Sequence, residues 1–354
     1  MFKPNFCPYY KCSQHLAPKH DFSVRFGSYH PRCRPRPVQR FRCNTCMRTF
    51  SRQTFRADFR DQKPHLNAAL FIKTASGTGI RQSATELGLS PRCAELKLHK
   101  IGRHLRRLNL NLQGQLAEEA KLHFDEFETY EGQRNTRPLS VPVLIETESR
   151  FIIWAEAAPI RPRGKMTKKR LKAIEASEKR YGIRKDLSRR SVRRVLLRGA
   201  HMVKNSATVT FNSDEKSTYP GLAKSTFGTV RLIHIQTNSK LVRMTFNPLF
   251  AINHEETRMR DLMSRLRRES WLVSKKRRYL DIALQVHIAY RNLVRRRFNR
   301  DEASPAQWLG FLPRRLTATE VLSWRQDWKG RSVHPLSSSG ESVESWKKRN
   351  AVTA

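Results

Sequence analysis

Carboxylates occur at three places in this chain where they could bind divalent metal ions. HFDEF places Asp125 in a segment with strand-like alternation, and Asp214 follows the apolar segment ATVTFN. A third segment, NHEETRMRD, begins a helical stretch and contains Glu255, Glu256 and Asp261. Carboxylate oxygens suit Mg²⁺ or Mn²⁺, and a pair of such ions can activate a nucleophile and stabilise the leaving oxygen of a phosphodiester. We therefore predict a metal-dependent site if two strands and one helix bring these groups together.

The overall charge indicates which substrate such metals would meet. The chain has 70 Lys and Arg residues against 30 Asp and Glu residues, a formal net charge of +40. This excess favours a polyanionic partner, and nucleic acid gives clustered Lys and Arg the gain of counterion release. Since no apolar run approaches the ~18 residues of a membrane-spanning helix and no signal peptide opens the chain, we expect a soluble cytoplasmic protein without a membrane partner. Glu126, Glu128 and Glu131 are interpreted as surface residues paired with nearby Lys and Arg.

Five of the six cysteines fall within the first 46 residues, which in a reducing compartment favours metal binding over disulfides. Two pairs with the spacing of zinc ligands can surround one tetrahedral ion, and such a closed site is structural. The predicted ligands are Cys7, Cys12, Cys43 and Cys46. Because the first pair is widely spaced, the identity of one of the four ligands stays open among other side chains nearby. These are His15, His20, His30 and Cys33. The alternative is a group of reduced, buried cysteines.

The segment after the cysteines predicts two helices joined by a tight turn. Gly88 supplies the turn, Ser90 the N-cap and Pro91 the first helical position. The second helix is basic, which is typical of a DNA-binding helix-turn-helix. The residues predicted to contact DNA are Lys97, Lys100, Arg103, Arg106 and Arg107. The alternative is an ordinary helical hairpin.

The elements that would position the acids follow from the pattern of apolar residues. KLHFDEF, VPVLIET and RFIIWAEA predict three consecutive strands of a meander, and ATVTFN and TVRLIHIQ predict two later strands. Between these groups, residues 161–204 hold 17 Lys or Arg against 3 Asp or Glu and predict basic helices. This segment is either a solvated basic face or an additional DNA clamp. A long helical region is predicted from about 253 to 298.

The order of these features resembles that of DDE-type transposases from bacterial insertion sequences, in the branch with an N-terminal zinc ribbon. FRCNTCMRTFSRQTF resembles the knuckle of the ribbon, DEFET the first acidic motif, and SDEKSTYPGL the second, in which a Tyr closely follows the Asp. NHEETRMRDLMSRLRR resembles the third motif, although Thr257 and Met259 stand where the family usually has Arg and Asn. The resemblance covers about residues 7–300.

The resemblance implies an α/β catalytic core with an RNase H-like mixed sheet flanked by helices, preceded by a small zinc ribbon and an all-α helix-turn-helix. It assigns Asp125, Asp214 and Glu256 as catalytic residues and ligands of Mg²⁺ or Mn²⁺, with Glu255 beside them or solvated. The implied domains are 1–60 (zinc ribbon), 61–112 (helix-turn-helix), 118–300 (catalytic, with the insertion 161–204) and 301–354 (an extension ending in a disordered Ser-rich tail).

The function implied is that of a transposase which binds the terminal repeats of its own element on double-stranded DNA. It would cleave the DNA and transfer the strand, acting as a homo-oligomer when two ends are brought together. Two alternatives stay open. One is a non-catalytic zinc-ribbon and helix-turn-helix DNA-binding protein, either a degenerate transposase or a regulator. The other is a nuclease of the same fold that never joins strands.

Overall fold

The computed structural model describes residues 2–33, 36–238, 240–242, 244–267 and 270–326. The chain forms two compact units. The first comprises Met1–Ile72, Ala84–Leu112 and Leu316–Ala354, and the second comprises Lys73–Ser83 and Gln113–Arg315. The Ser-rich C-terminal stretch, predicted to be disordered, lies outside the described residues.

A three-stranded antiparallel sheet forms the N-terminal part of the first unit. Its strands, in spatial order, are β1 (Ser23–Tyr29), β2 (Val38–Cys43) and β3 (Thr49–Ser51). The sheet is too small to cover a large aliphatic core, and the core beside it is made mainly of aromatic rings. Phe22 stacks on Phe50, and Phe55 meets Phe50 edge to face. Three of the N-terminal cysteines are buried in the same cluster.

Helices follow the small sheet, as the sequence predicts. These are α2 (Asn67–Ala75), α3 (Ile80–Glu86) and α4 (Pro91–Asn111), whereas the short α1 (Ser13–Leu16) precedes the sheet. Gly88, with a φ of +59°, turns the chain between α3 and α4. The Ser90 hydroxyl then accepts a hydrogen bond from the Cys93 amide at 3.2 Å, and Pro91 occupies the first turn. The predicted cap therefore starts a 21-residue helix.

The second unit is built on a six-stranded mixed sheet. Its strands are β4 (Glu119–Tyr130), β5 (Pro138–Glu146), β6 (Ile152–Ala155), β7 (Ala158–Pro159), β8 (Thr208–Asp214) and β9 (Arg231–Thr237). The spatial order is β6-β5-β4-β8-β9, and β7 also pairs with β5. The pairs β4–β5 and β5–β6 are antiparallel, whereas β8 is parallel to both β4 and β9. The predicted meander and the two later strands are confirmed, and the arrangement fits an RNase H-like core.

The second unit also contains α-helices. They are α5 (Lys168–Tyr181), α6 (Ser188–Met202), α7 (Tyr219–Phe227), α8 (Phe250–Leu262), α9 (Arg277–Ala289) and α10 (Pro305–Trp308). α6 contacts β5 and β6, and α7 contacts β9. α8 contacts β4 and β5, and α9 contacts β6. A last helix, α11 (Ala318–Ser323), belongs to the first unit. No helix in the described part of the chain is long and apolar enough to cross a membrane.

The helical region predicted from about 253 to 298 is present, but it is interrupted after α8. α8 ends at Leu262, and Met263 has an extended backbone with φ of −113° and ψ of 103°. Met263 and Leu266 are both buried in the core formed by β4, β5, α8 and α9, so the chain leaves the helical path to bury them. α9 then continues into a five-residue π-helix, Tyr290–Val294.

Candidate functional site

The four cysteines predicted to bind zinc converge in the first unit. The Sγ atoms of Cys7 and Cys46 lie 3.7 Å apart. Those of Cys12 and Cys43 lie 3.8 Å apart, and all four lie within 4.8 Å of one another. Four thiolates around a tetrahedral zinc with bonds of about 2.3 Å have sulfur–sulfur separations of roughly 3.8 Å. The cluster is therefore compatible with a structural zinc ion.

Two short turns present these thiols. β2 ends at Cys43, whose carbonyl accepts a hydrogen bond from the Met47 amide at 2.9 Å, and Met47 closes the turn with a φ of +58°. In the other turn the Cys12 amide donates to the Tyr9 carbonyl at 3.0 Å. Burial raises the pKa of the Cys43 thiol, but hydrogen bonds from the amides of its own turn outweigh burial and the pKa is lowered. The backbone thus favours a thiolate at this position.

The alternative ligands left open by the sequence lie outside the cluster. The Nδ1 of His15 donates a hydrogen bond to the Cys7 carbonyl at 2.7 Å, which uses that nitrogen elsewhere. Cys33 is exposed and its thiol donates to the Asp61 carbonyl at 3.4 Å. His20 and His30 are both exposed.

Asp125 and Asp214 occupy equivalent positions on adjacent parallel strands. His123 on β4 pairs with Asn212 on β8, and each aspartate follows two residues later. Side chains alternate between faces along a strand, so both aspartates share one face of the sheet. Asp125 is also opposite Val143 of β5, which is buried in the core beneath α8 and α9. The shared face is therefore the one that α8 covers.

Glu256 lies on the stripe of α8 that packs against this face. Ile252 and Met259, four residues before and three after it, belong to the same buried core as Val143. Glu256 itself is 8% exposed. Asp261 is exposed, and five residues of helix rotate it about 140° from Glu256. Of the acids in the third segment, Glu256 is the one on the helix stripe that packs against the core beneath α8 and is not held by an arginine pair as Glu255 is.

Glu255 differs from the expectation that it is solvated. It is fully buried, and both of its carboxylate oxygens accept hydrogen bonds from Arg291, at 2.6 and 2.9 Å. Arg258 adds a third contact at 3.4 Å. Burial raises the pKa of Glu255, but the charges of Arg291 and Arg258 outweigh it and the pKa is lowered. Glu255 therefore fixes α8 against the end of α9, and helical rotation directs Glu256 elsewhere.

The environment of Asp214 is unfavourable for a negative charge. Partial burial raises its pKa, and the neighbouring charges of Glu126 and Glu215 raise it further, against the opposing effect of Lys216. Asp125 accepts a hydrogen bond from the Glu126 amide at 2.7 Å. Within the described part of the chain, the cysteines are the only group of three or more potential metal ligands whose atoms all lie within 4.8 Å of each other. The three carboxylates share a face without approaching to that distance.

Glu126 was interpreted as a surface residue, and this prediction is wrong. Its side chain is only 7% exposed and lies on the opposite face of β4 from Asp125. One carboxylate oxygen accepts hydrogen bonds from the Tyr219 hydroxyl at 2.5 Å and from Lys216, and the other accepts from Ser140 at 2.6 Å. These contacts connect β4 and β5 to the turn that follows Asp214. The sequence signal was the Tyr shortly after the second Asp.

Glu131 is likewise buried rather than on the surface, because two arginines enclose it. Arg184 and Arg137 each donate to the same oxygen at 2.9 Å. Arg184 comes from the basic insertion, so this buried pair attaches the insertion to the end of β4. Glu128 is exposed, as expected.

The predicted DNA-contacting residues of α4 divide into two groups. Lys97 is 4% exposed and donates to Asp61 and Asn67, at 3.2 and 2.9 Å. Lys100 also donates to Asp61, at 2.5 Å. The prediction that Lys97 contacts DNA does not fit its burial, because its ammonium group anchors α4 to the preceding loop. The second group, Arg103, Arg106 and Arg107, is exposed.

Comparisons with known proteins add little to this picture. No family model matches the sequence, and no curated protein matches it. A solved structure of the Mos1 mariner paired end complex with Mn has a TM-score of 0.25 and 12% identity, covering 63% of this chain and 75% of that one. The catalytic domain of Mos1 mariner transposase gives a TM-score of 0.23 and 12% identity, covering 55% of this chain and 87% of that one. At such TM-scores these similarities carry no weight for function, which has to be argued from the site.

Proposed function

We propose that this protein is a DDE-type DNA transposase that cleaves DNA and transfers the resulting strand. The observation that carries the proposal is the placement of three carboxylates on one face of a mixed sheet. Asp125 and Asp214 have equivalent positions on adjacent parallel strands, and Glu256 lies on α8, which packs against β4 and β5. Each acid alone is unremarkable, but three acids from distant parts of the sequence that share one face of the sheet and the helix packed on it support a common site.

The donor set fits divalent ions such as Mg²⁺ or Mn²⁺, because all three groups offer hard oxygen ligands. The pKa of Asp214 is raised by burial and by negative neighbours, so a cation at this face would relieve an existing electrostatic cost. When bound, such ions supply activation of the attacking oxygen and stabilisation of the leaving one. The chain contributes ligands held on rigid elements, with α8 fixed by the buried pair of Glu255 and Arg291.

The first unit supplies DNA binding in this proposal. A zinc ion held by the four cysteines would keep the three-stranded sheet folded, and the exposed arginines of α4 would contact double-stranded DNA. Guanidinium groups at these positions suit phosphate contacts and base edges in the major groove. Arg103, Arg106 and Arg107 are therefore the proposed DNA contacts, and Lys97 serves to hold the helix.

A cleavage and strand-transfer assay tests the proposal. Labelled DNA carrying the terminal repeats that flank the gene would be incubated with Mg²⁺ or Mn²⁺ and the protein. The variants are Asp125→Ala, Asp214→Ala and Glu256→Gln, and the matched control is Asp261→Ala on the exposed side of α8. We expect metal-dependent cut and joined products for the wild type and the control, and none for the three variants.

Other outcomes would redirect the proposal. DNA binding without cleavage under either metal would identify a non-catalytic DNA-binding protein. Cleavage without joined products would identify a nuclease of the same fold. If Glu256→Gln stayed active while both aspartate variants were inactive, the third ligand would have to be sought elsewhere.

A further inference from the structure

A cleft of about 600 Å³ in the second unit has six arginines among its thirteen lining residues. Three segments contribute to it: the loop between β4 and β5, the start of the basic insertion, and the region from the end of α8 to the residues that follow it. Its arginines are Arg134, Arg161, Arg163, Arg170, Arg260 and Arg267. Among the lining residues that the structure describes, Glu128 is the one acid. The insertion thus supplies half of the guanidinium groups.

Backbone carbonyls orient three of these arginines. Arg170 donates to the carbonyls of Asn135 and Lys165, at 3.3 and 3.1 Å. Arg161 and Arg267 also donate to backbone carbonyls, each at 3.4 Å. Carbonyl acceptors fix the direction of a guanidinium group but carry no net charge. Arg163 differs, since it pairs with Asp186 at 3.2 Å.

Six guanidinium groups around one cleft repel each other, which is costly in a chain that already carries a net charge of +40. An anion in the cleft would turn this repulsion into attraction. Guanidinium groups match phosphate geometry through paired hydrogen bonds, so a phosphate group is the favoured ligand. Because several arginines are spread around a large open volume, they suit successive phosphates better than a single one.

The cleft is adjacent to the carboxylate face. The lining residues Glu128–Tyr130 continue β4 three to five positions beyond Asp125, roughly 10–17 Å along the strand. Arg260 lies four residues after Glu256, one turn further along α8, with its guanidinium 4.8 Å from the Phe127 ring. At ~3.4 Å of rise per nucleotide, this separation corresponds to about three to five nucleotides of one DNA strand.

We propose that this arginine cleft binds the sugar–phosphate backbone of DNA about three to five nucleotides from the phosphate at the carboxylate face. The inference rests on the proposed function, because it takes that face to be where the DNA is cut. It assigns the basic insertion a specific task. Instead of a diffuse basic surface, the insertion forms one wall of a backbone-binding groove whose other walls belong to the catalytic sheet and to the α8 region.

The test compares two triple variants with the same change in net charge. One removes the arginines that the insertion contributes to the cleft, through Arg161→Gln, Arg163→Gln and Arg170→Gln. The control removes three exposed arginines of α6 that lie outside the cleft, through Arg189→Gln, Arg190→Gln and Arg193→Gln. Both are made in the full chain, and equal melting temperatures would show that each still folds.

Binding to a labelled DNA duplex would be measured by fluorescence anisotropy between about 50 and 200 mM salt. Each phosphate contact contributes about 0.9 to the slope of log affinity against log salt. We expect the cleft variant to lose about 2 units of slope and at least ~10-fold in affinity near 100 mM salt. We expect the control to lose less than about 1 unit. Equal losses in both variants would overturn the cleft, since only overall charge would matter.

Two further measurements distinguish failure of the cleft from failure of the catalytic proposal. If the wild type cuts no DNA but the two triple variants still differ, the cleft stands and the catalytic proposal fails. If cleavage occurs but the two triple variants lose DNA affinity equally, the catalytic proposal stands and the cleft fails. Inorganic pyrophosphate serves as the small-anion probe. A cleft variant that lost pyrophosphate binding but kept its DNA slope would show a small-molecule site and overturn the proposal.

Discussion

The cysteine cluster and the carboxylate face position their ligands in different ways. The cysteines come from two tight turns beside a three-stranded sheet, and their sulfur atoms lie within 4.8 Å of one another. The carboxylates come from β4, β8 and α8, which are far apart in the sequence and meet only through sheet register and helix packing. The cluster is therefore a local arrangement whose loss should unfold its surroundings. The carboxylate face is a product of the whole second unit, and its acids can be replaced with little effect on folding.

The cluster is expected to give the largest effect on stability. Structural zinc sites contribute roughly 10–16 kcal/mol of binding free energy that is also folding free energy. Cys43→Ser should therefore unfold the three-stranded sheet while the second unit stays intact. Limited proteolysis with mass spectrometry would locate the cleavages, and metal analysis would show loss of one zinc per chain. Cys33→Ser is the control, because Cys33 is exposed and lies outside the cluster. Preserved protection of the sheet in the Cys43→Ser protein would show that no metal holds it.

Two neighbouring glutamates of α8 should differ in the same way, one supporting stability and the other activity. Glu255→Gln leaves the fully buried Arg291 without its counter-charge, which should cost about 3–5 kcal/mol of unfolding free energy. Glu256→Gln should cost far less stability yet lower the cleavage rate by at least ~100-fold, because a ligand for the reacting groups is lost. Urea unfolding and the cleavage assay measure the two quantities. Similar unfolding free energies for the two variants would contradict this division of roles.

His287 should make the second unit sensitive to acid. The residue is fully buried, and neither ring nitrogen has a hydrogen-bond partner among the residues that the structure describes. Burial lowers its pKa from 6.5 to about 3. Below pH 6.5 the unfolded chain binds a proton that the folded chain excludes, so stability falls as the pH decreases. At pH 5 the loss amounts to about 2 kcal/mol. His287→Leu should remove this loss of stability. The unfolding free energy of the variant relative to wild type should therefore be higher at pH 5 than at pH 7.5. An identical difference in unfolding free energy at both pH values would rule this out.

The smallest expected effect concerns the buried Glu126. Tyr219→Phe removes one hydrogen bond to this carboxylate but leaves those from Lys216 and Ser140. The cost should be about 1 kcal/mol of unfolding free energy. Cleavage should slow modestly because the turn after Asp214 loses one attachment. Tyr181→Phe, at a tyrosine that is 57% exposed, is the matched control. Equal stability of both variants would mean that the hydroxyl contributes nothing.

Most of the sheet could be predicted from local pattern. Short apolar runs between turn-prone stretches predicted β4, β5, β6, β8 and β9, and the cysteine spacing predicted the set that converges. Ser90 and Pro91 predicted the start of α4 because capping depends on adjacent residues alone.

The remaining features depend on contacts between distant residues. Glu126 and Glu131 looked solvated because their partners, Tyr219 and Arg184, are many residues away. Lys97 looked available to DNA because its partner Asp61 lies in another element. The break after α8 escaped prediction since Met263 leaves the helix to fill a tertiary core. Charge in a sequence therefore indicates what a residue can bind, whereas folding decides whether that charge reaches solvent.

The position of β9 has a practical consequence for the purified protein. As far as the described residues extend, β9 stands at the end of the strand order, and its Ile233 and Ile235 are 43% and 44% exposed. An open strand edge with apolar side chains is a template for pairing with another copy. At low ionic strength, repulsion between chains of charge +40 keeps such edges apart. Since the screening length shrinks from about 30 Å at 0.01 M salt to about 8 Å at 0.15 M, moderate salt removes that protection. Protein freed of nucleic acid should therefore become less soluble as salt is raised, and a bound polyanion should restore its solubility.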